Sequence, residues 1–141
     1  MSDEYFQKIT ELNAAEVPFA IATVIKITGS VSAKPGAKSI ISDKGETLFG
    51  WVGGGCAEEA VREASLESMR DGETRIVTLD LDDEILGVGM PCGGTMEVYV
   101  EPYLPRPELI IVGHGKIAEI LAQLAHTVHF SVTVNDSGAT R

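Results

Sequence analysis

Residues Leu48–Ala60 read LFGWVGGGCAEEA: an apolar run, three successive glycines, one of the chain's two cysteines, then the start of a helical pattern. An extended segment, a Gly-rich turn and a helix in that order point to an α/β layer. Beyond Cys56, the residues Ala57, Ala60, Val61, Ala64, Ser68 and Met69 recur at helical spacing, with Arg62, Glu63, Glu67 and Arg70 on the other side. Asp71-Gly72 closes the helix, since glycine readily takes the left-handed stop conformation. A helix start aims unpaired N–H groups at the preceding loop, which favours an anion there and favours the thiolate of Cys56. Glu58 and Glu59 suit the helix dipole but compete with a bound phosphate. The same residues also fit a tight turn whose small cysteine packs inward. On sequence alone both readings stand.

Working outward, residues 3–15 place Tyr5, Phe6, Ile9 and Leu12 at a spacing that predicts a helix covering one face of a sheet. Val17 to Thr28, VPFAIATVIKIT, is rich in β-branched residues and predicts a strand buried on both faces over much of its length. A Gly/Ser/Pro loop follows, GSVSAKPGAK from Gly29 to Lys38, whose Ser30, Ser32, Lys34 and Lys38 are donors suited to a phosphate or to a solvated turn. Asp43-Lys44-Gly45 joins two extended runs, 39–42 and 46–52, as a hairpin. Residues 74–81 alternate as a strand. A second Gly-rich segment, GVGMPCGG (87–94), precedes a further strand at 95–100, and Pro102, Pro105 and Pro107 predict a linker.

The tail differs in character. Glu108–Val112 predicts a short buried strand, Gly113-His114-Gly115-Lys116-Ile117-Ala118 opens a helix, and residues 130–134 form a second strand ending in Asn135-Asp136. This is the pattern of the first βαβ unit of a dinucleotide-binding domain, with alanine in place of the third glycine. Asp136 stands about twenty positions past Gly115, where an acidic residue meets a ribose hydroxyl. The predicted fold class is therefore α/β: an N-terminal mixed-sheet α/β domain (1–104), then the first βαβ unit of a Rossmann-like domain (105–141). A complete doubly wound half needs several further strands, so that domain reads as cut short.

The chain has 141 residues, 11 Lys and Arg against 21 Asp and Glu, and a formal net charge of -10. This argues against nucleic acid, whose binding requires clustered cations. No apolar run is long enough to span a bilayer, and the acidic start lacks the layout of a secretory leader. Two distant cysteines make no disulfide framework, so a cytoplasmic protein with reduced thiols is expected.

Cys92, in Pro91-Cys92-Gly93-Gly94, repeats the setting of Cys56: a Gly-rich loop carrying one thiol at the end of a regular element. If the two loops converge, Cys56 and Cys92 could hold one soft ligand or metal centre. Zinc would need further ligands, and the chain's histidines, His114, His126 and His129, all lie in the tail.

The ordered pieces ATVIKITGSVSAKPGAK, GWVGGGCAEEAV, GMPCGGTMEVYVEP and LIIVGHGKIAEIL resemble the XdhC/CoxI family, accessory proteins of molybdenum hydroxylases such as xanthine dehydrogenase and carbon monoxide dehydrogenase. The resemblance implies a chaperone, not an enzyme in its own right. It would bind the molybdenum cofactor (molybdopterin), assist its sulfuration and deliver it to the apo-hydroxylase, with a sulfur donor protein as a further partner. The matching cofactor-binding residues are Gly54, Gly55, Cys56, Cys92, Gly93 and Gly94, with Lys34 as the loop cation and Cys56 and Cys92 toward the metal. Gly113, Gly115, Ala118 and Asp136 match the family's nucleotide fingerprint, for which NAD(P) is the cofactor. The loop here reads SVSAKPGA where the family usually carries Pro and Arg, and Gly53 stands where Ser is frequent. Two other readings stay open: a fragment of an NAD(P)-dependent oxidoreductase, or an interaction module that forms a homo-oligomer through an unfinished sheet edge.

Overall fold

A bulged central strand organises the N-terminal part of the chain. In the computed structural model, which describes residues 3–80 and 93–136, β1 runs Phe19–Gly29 between β2 (Lys38–Ser42) and β5 (Gly94–Tyr103). Strand β3 (Thr47–Gly50) lies beyond β2, and β4 (Arg75–Asp80) beyond β5, giving the order β3-β2-β1-β5-β4 among the described residues. Every described pairing in this sheet is antiparallel. The chain divides into two compact units, Met1–Leu104 and Pro105–Arg141. The α/β class and the following βαβ unit are as expected. The mixture of strand directions, expected within the first sheet, lies instead between an antiparallel first sheet and a parallel second one.

Alternation along β1 sorts its side chains onto two faces. Ala20, Ala22 and Val24 join Ile41, Met96, Val98 and Val100 under Ala57, Val61 and Ala64 of helix α2 (Cys56–Asp71). Phe19 and Ile21 join Ile40 under Tyr5, Ile9 and Leu12 of helix α1 (Asp3–Ala14). Positions 5, 9 and 12 form one stripe, and Phe6 lies off it: that ring is exposed and meets Tyr5 edge-on at 5.4 Å. The two-sided burial of β1 ends at Val24. There the register with β5 shifts, so that Val24 opposes Val98 while Lys26 opposes Glu97. Ile25 is the extra residue of a bulge and is 45% exposed. The bulge returns Ile27 to the α2 face opposite Met96 and leaves Lys26 outside, its Nζ 3.1 Å from Glu97 Oε1. A one-residue slip otherwise inverts the inside and outside of a strand.

Pro102 belongs to β5 and not to the linker, opposite Ala20. It is tolerated because the β4 ladder ends at the Arg75–Val100 pair, so no neighbour on that side calls for its missing N–H. The second unit pairs β6 (Glu108–Val112) in parallel with β7 (Ser131–Asn135), connected by α3 (Lys116–Thr127). Strand β6 was expected to be buried. Only Ile111 is, while Ile110 and Val112 are 60% and 77% exposed. Among the described residues, the other buried apolar side chains of this unit, Ala118 and Ala125, come from the one helix α3. A parallel strand pair needs layers on both faces to bury alternate residues. Among the described residues, no helix is long and apolar enough to cross a membrane.

The bulge yields a paired prediction. Ile25→Lys should change unfolding stability by no more than about 0.5 kcal/mol, as for an exposed site. Val24→Lys buries an ammonium in the α2-side core and should cost more than about 3 kcal/mol. Urea denaturation of the two variants reads both; comparable losses would contradict the bulge.

Candidate functional site

Three segments meet at one end of the β1–β5 pair. Gly29 ends β1 directly opposite Gly94, the first residue of β5, and the Ser30 N–H donates to the Gly93 carbonyl at 2.8 Å. The backbones are nearly in contact. A Cβ on Gly94 would lie 2.5 Å from the Thr28 carbonyl oxygen, and one on Gly29 would lie 2.8 Å from that of Gly93. Glycine is required here by close approach. The loop after Gly29 is anchored: Ala33 is buried, Val31 packs on the core, Gly36 N–H donates to Val24 carbonyl at 2.7 Å and Val24 N–H to Ala37 carbonyl at 2.9 Å. Within it, Lys34-Pro35-Gly36-Ala37 forms a turn closed by the Ala37 N–H on the Lys34 carbonyl at 3.0 Å, with proline and a positive-φ glycine in the central positions. This presents Lys34 to solvent from a fixed base. Lys38 is not a loop donor. It sits in β2, and its Nζ donates to Thr23 Oγ1 at 2.7 Å.

Helix α2 points its N-terminus to the same end. A Cβ on Gly53 would meet Ala57 Cβ at 3.1 Å and Met96 Cε at 3.4 Å, and Met96 is two residues from Gly94. At the far end of α2, Arg75 Nη1 donates to Ser68 Oγ at 3.1 Å and Nη2 to Asp71 Oδ2 at 2.6 Å, and Arg75 opposes Val100. The helix therefore runs along the sheet with its first turn over the Gly94 end. Cys56 is its first residue; the thiol is exposed and free, not packed inward. Gly55 is the N-cap and offers no side-chain acceptor, so no side chain caps the first-turn amides. Gly54 lies half-buried between.

The acidic first turn is partly neutralised. Arg62 Nε donates to Glu59 Oε2 at 3.1 Å and Arg62 Nη2 also pairs with Oε1; this hydrogen bonding and charge hold the Glu59 carboxyl below its ordinary range. Glu58 turns to the sheet edge, where Thr47 Oγ1 approaches Oε1 at 3.5 Å. A small cavity of about 10 Å³ is lined by Thr47, Trp51, Gly53, Glu58, Val61 and Arg62 among others. Trp51 is 48% exposed. Neither Trp51 nor Thr47 stood out in the sequence; the signal was a lone tryptophan two residues before a glycine run.

Cys92 lies outside the described residues, whereas Gly93 and Gly94 are described. Among the described residues, no group of three or more His, Cys, Asp or Glu side chains is placed to hold a metal ion.

The second unit has its own glycine turn. Gly113 N–H donates to the Asn135 carbonyl at 3.1 Å, Gly115 is the N-cap of α3, and Ala118 is buried. Asp136 ends beside this turn, its Oδ1 3.7 Å from His114 Nδ1. A Cβ on Gly113 or Gly115 would meet nothing within 4 Å.

The model of the XdhC and CoxI family matches residues 12–80. That match spans 69 of the chain's 141 residues and marks them as similar to the XdhC and CoxI family. It is 29% identical over 132 residues to the uncharacterized protein YqeB of Escherichia coli, covering 93% of this chain and 24% of that protein. It is 32% identical over 85 residues to a probable xanthine dehydrogenase subunit of Bacillus subtilis, covering 57% of this chain and 25% of that one. The chain thus spans about a quarter of the length of these curated relatives. A crystal structure described as a xanthine dehydrogenase from Bacillus halodurans shares the fold, with a TM-score of 0.59 at 20% identity over 95% of this chain and 62% of that one. Within the XdhC and CoxI match fall Lys34, Gly54, Gly55 and Cys56; Gly93, Gly94 and the tail fingerprint lie beyond it.

Two outcomes follow. Gly94→Ala should cost about 1–3 kcal/mol by forcing β1 and β5 apart, with amide exchange rising first at Ser30. Arg62→Ala should let the Glu59 carboxyl titrate higher in an NMR pH series. The Glu59–Arg62 stabilisation is complete above the unfolded carboxyl pKa of about 4.3. It is lost as pH falls through the lower folded value.

Proposed function

We propose that this protein acts in the maturation of a molybdenum hydroxylase by binding the molybdenum cofactor at the Gly29/Gly94 end of its first sheet. One observation carries the reading: an exposed thiol, an uncapped helix start and the Lys34 loop share that end, with two glycine backbones closing beneath them. The residues fit the group. First-turn amides of α2 and Lys34 offer donors to a pterin phosphate. Cys56 offers a soft ligand to a metal–sulfur centre, and Cys92 adjoins the Gly93-Gly94 edge of the same end in sequence. Bound there, the cofactor would bring a sulfur-accepting molybdenum. The chain's own part is to orient that group and shield it until transfer to an apo-hydroxylase. The relatives' association with xanthine dehydrogenase supports such a client, and a sulfur donor protein is the partner that sulfuration needs.

A second, separable reading concerns the tail. Open space over Gly113 and Gly115, beside Asp136, suits a dinucleotide's pyrophosphate and ribose. NAD(P) is the ligand proposed for it, and Asp136→Ala should then abolish NAD retention in equilibrium dialysis.

For the main reading, the protein is co-produced with a cofactor-synthesising system and assayed for bound molybdopterin and for activation of apo-hydroxylase. Cys56→Ala and Cys92→Ala should each reduce both by at least about tenfold. Retention of both functions in the double variant would remove the thiols from the site.

A further inference from the structure

Helix α3 has its small side chains turned inward and its large ones outward. Ala118 and Ala125 are buried where the helix meets β6 and β7, with Ala122 half-buried between them. Alanine there lets the helix lie close on its two strands. Ile117, Ile120, Leu121, Leu124 and Val128 flank that row and are exposed, Ile117 to 83%. At 3.6 residues per turn the two sets form one continuous apolar arc of about half the circumference. Glu119 and His126 take the opposite side, with Lys116, Gln123 and Thr127 at the edge of the arc. Along its C-terminal half, the same face borders an apolar groove of about 330 Å³, lined by Leu109, Leu121, Leu124, Val128 and Phe130 among others. An exposed apolar stripe on a helix that already has a covered face marks a second contact.

Spacing, charge and area together say what covers the stripe. Ile117, Leu121, Leu124 and Val128 follow one another at steps of four, three and four, the seam of a helix pair. That order is the same in both directions. An antiparallel copy of α3 therefore sets Ile117 against the partner's Val128 and Leu121 against the partner's Leu124, each twice about a two-fold axis. Ile117, the most exposed side chain of the stripe, then enters the groove beside the partner's Val128, and the partner's Ile117 enters this one. The chain carries a formal net charge of -10, so two copies repel unless they meet across a face without carboxylates. Neither the stripe nor the lining of the groove holds a charged residue. Antiparallel packing also lays the N-terminal end of each helix, with Lys116, beside the C-terminal end of the other, pairing opposite poles of two helix dipoles. The exposed fractions of the five large side chains amount to about three whole residues, or roughly 500 Å² per copy; Lys116, Gln123 and Thr127 at the rim extend this toward the roughly 800 Å² per partner of a standard interface. We propose that a second copy of this chain docks on α3, forming a two-fold dimer through an antiparallel α3 pair. The dimer is independent of the cofactor reading, since every residue it uses lies in the second unit.

Sedimentation velocity of the full chain over about 1–200 μM is the test, since interfaces of this size hold at micromolar concentrations. A dimer is expected, with affinity at least about tenfold weaker in Ile117→Lys and in Val128→Glu, each of which sets a charge into the seam. Both positions are exposed in the single copy, so the circular dichroism spectrum should be unchanged. In the double variant Ile117→Lys/Val128→Glu the two new charges meet across the axis, and the dimer should return to within a few-fold of the wild type. Within one chain those positions are about 16 Å apart along the helix and cannot pair. Ile110→Lys, on the face of β6 turned away from Leu109 and Ile111, should leave the dimer intact. A wild type that stays monomeric throughout that range would overturn the proposal and assign the stripe to a different polypeptide layer. So would a dimer that Ile110→Lys dissolves and Ile117→Lys does not. A double variant as weak as the single ones would overturn the antiparallel pairing.

Discussion

The backbone contact of Gly29 and Ser30 with Gly93 and Gly94 is the constraint on which the rest of the first unit depends. Two strands meet there, with the Ser30 N–H on the Gly93 carbonyl at 2.8 Å just beyond the ladder and no room for a Cβ on Gly29 or Gly94. Because β1 and β5 close so tightly, the Gly29–Lys38 loop leaves the sheet at a defined point. It can then return to Val24 within a few residues. The bulge at Ile25 serves the same end. By restoring Ile27 to the α2 face, it keeps one more side chain of the strand against the core, while the opposite face carries the exposed Lys26 and Thr28. Packing, register and loop position are thus one problem, solved by one extra residue and two glycines.

The site is built on that frame from opposite chemical needs. Amides and a lysine are arranged for anionic groups, while the helix that supplies the amides begins with glutamates that stabilise its own dipole. The conflict is relieved by direction. Glu59 folds back along the helix to Arg62, and Glu58 turns across to the β3 edge. Side-chain pairing at i,i+3 and a cross-element hydroxyl thus give the two first-turn carboxylates partners of their own.

Much of this was legible in the residues. The helix of 56–71, its glycine stop, the hairpin at 43–45 and the βαβ tail follow from periodicity and turn chemistry, which are local. The bulge was not, since VIKI reads as continuous strand and only the register against β5 reveals the slip. Pro102 reads as linker because the end of a neighbouring ladder is invisible along one chain. The exposure of Ile110 and Val112 was missed for a related reason: a hydrophobic strand announces that it wants covering layers, not that they are present. At the site, the motif glycines and Cys56 were legible, whereas Trp51 and Thr47 gain meaning only from lining the same small cavity as Glu58.

At the far end of α2, Arg75 ties Ser68 and Asp71 to the first residue of β4, and Glu67 lies 3.4 Å from its Nε. A helix held by one guanidinium at its last turn cannot rotate about its own axis without breaking several hydrogen bonds together. Sixteen residues at about 1.5 Å each carry that restraint over roughly 24 Å to the first turn. The azimuth of the Cys56 end is therefore fixed twice over, by Ala57, Val61 and Ala64 packed into the core beside it and by the Arg75 clamp on the last turn.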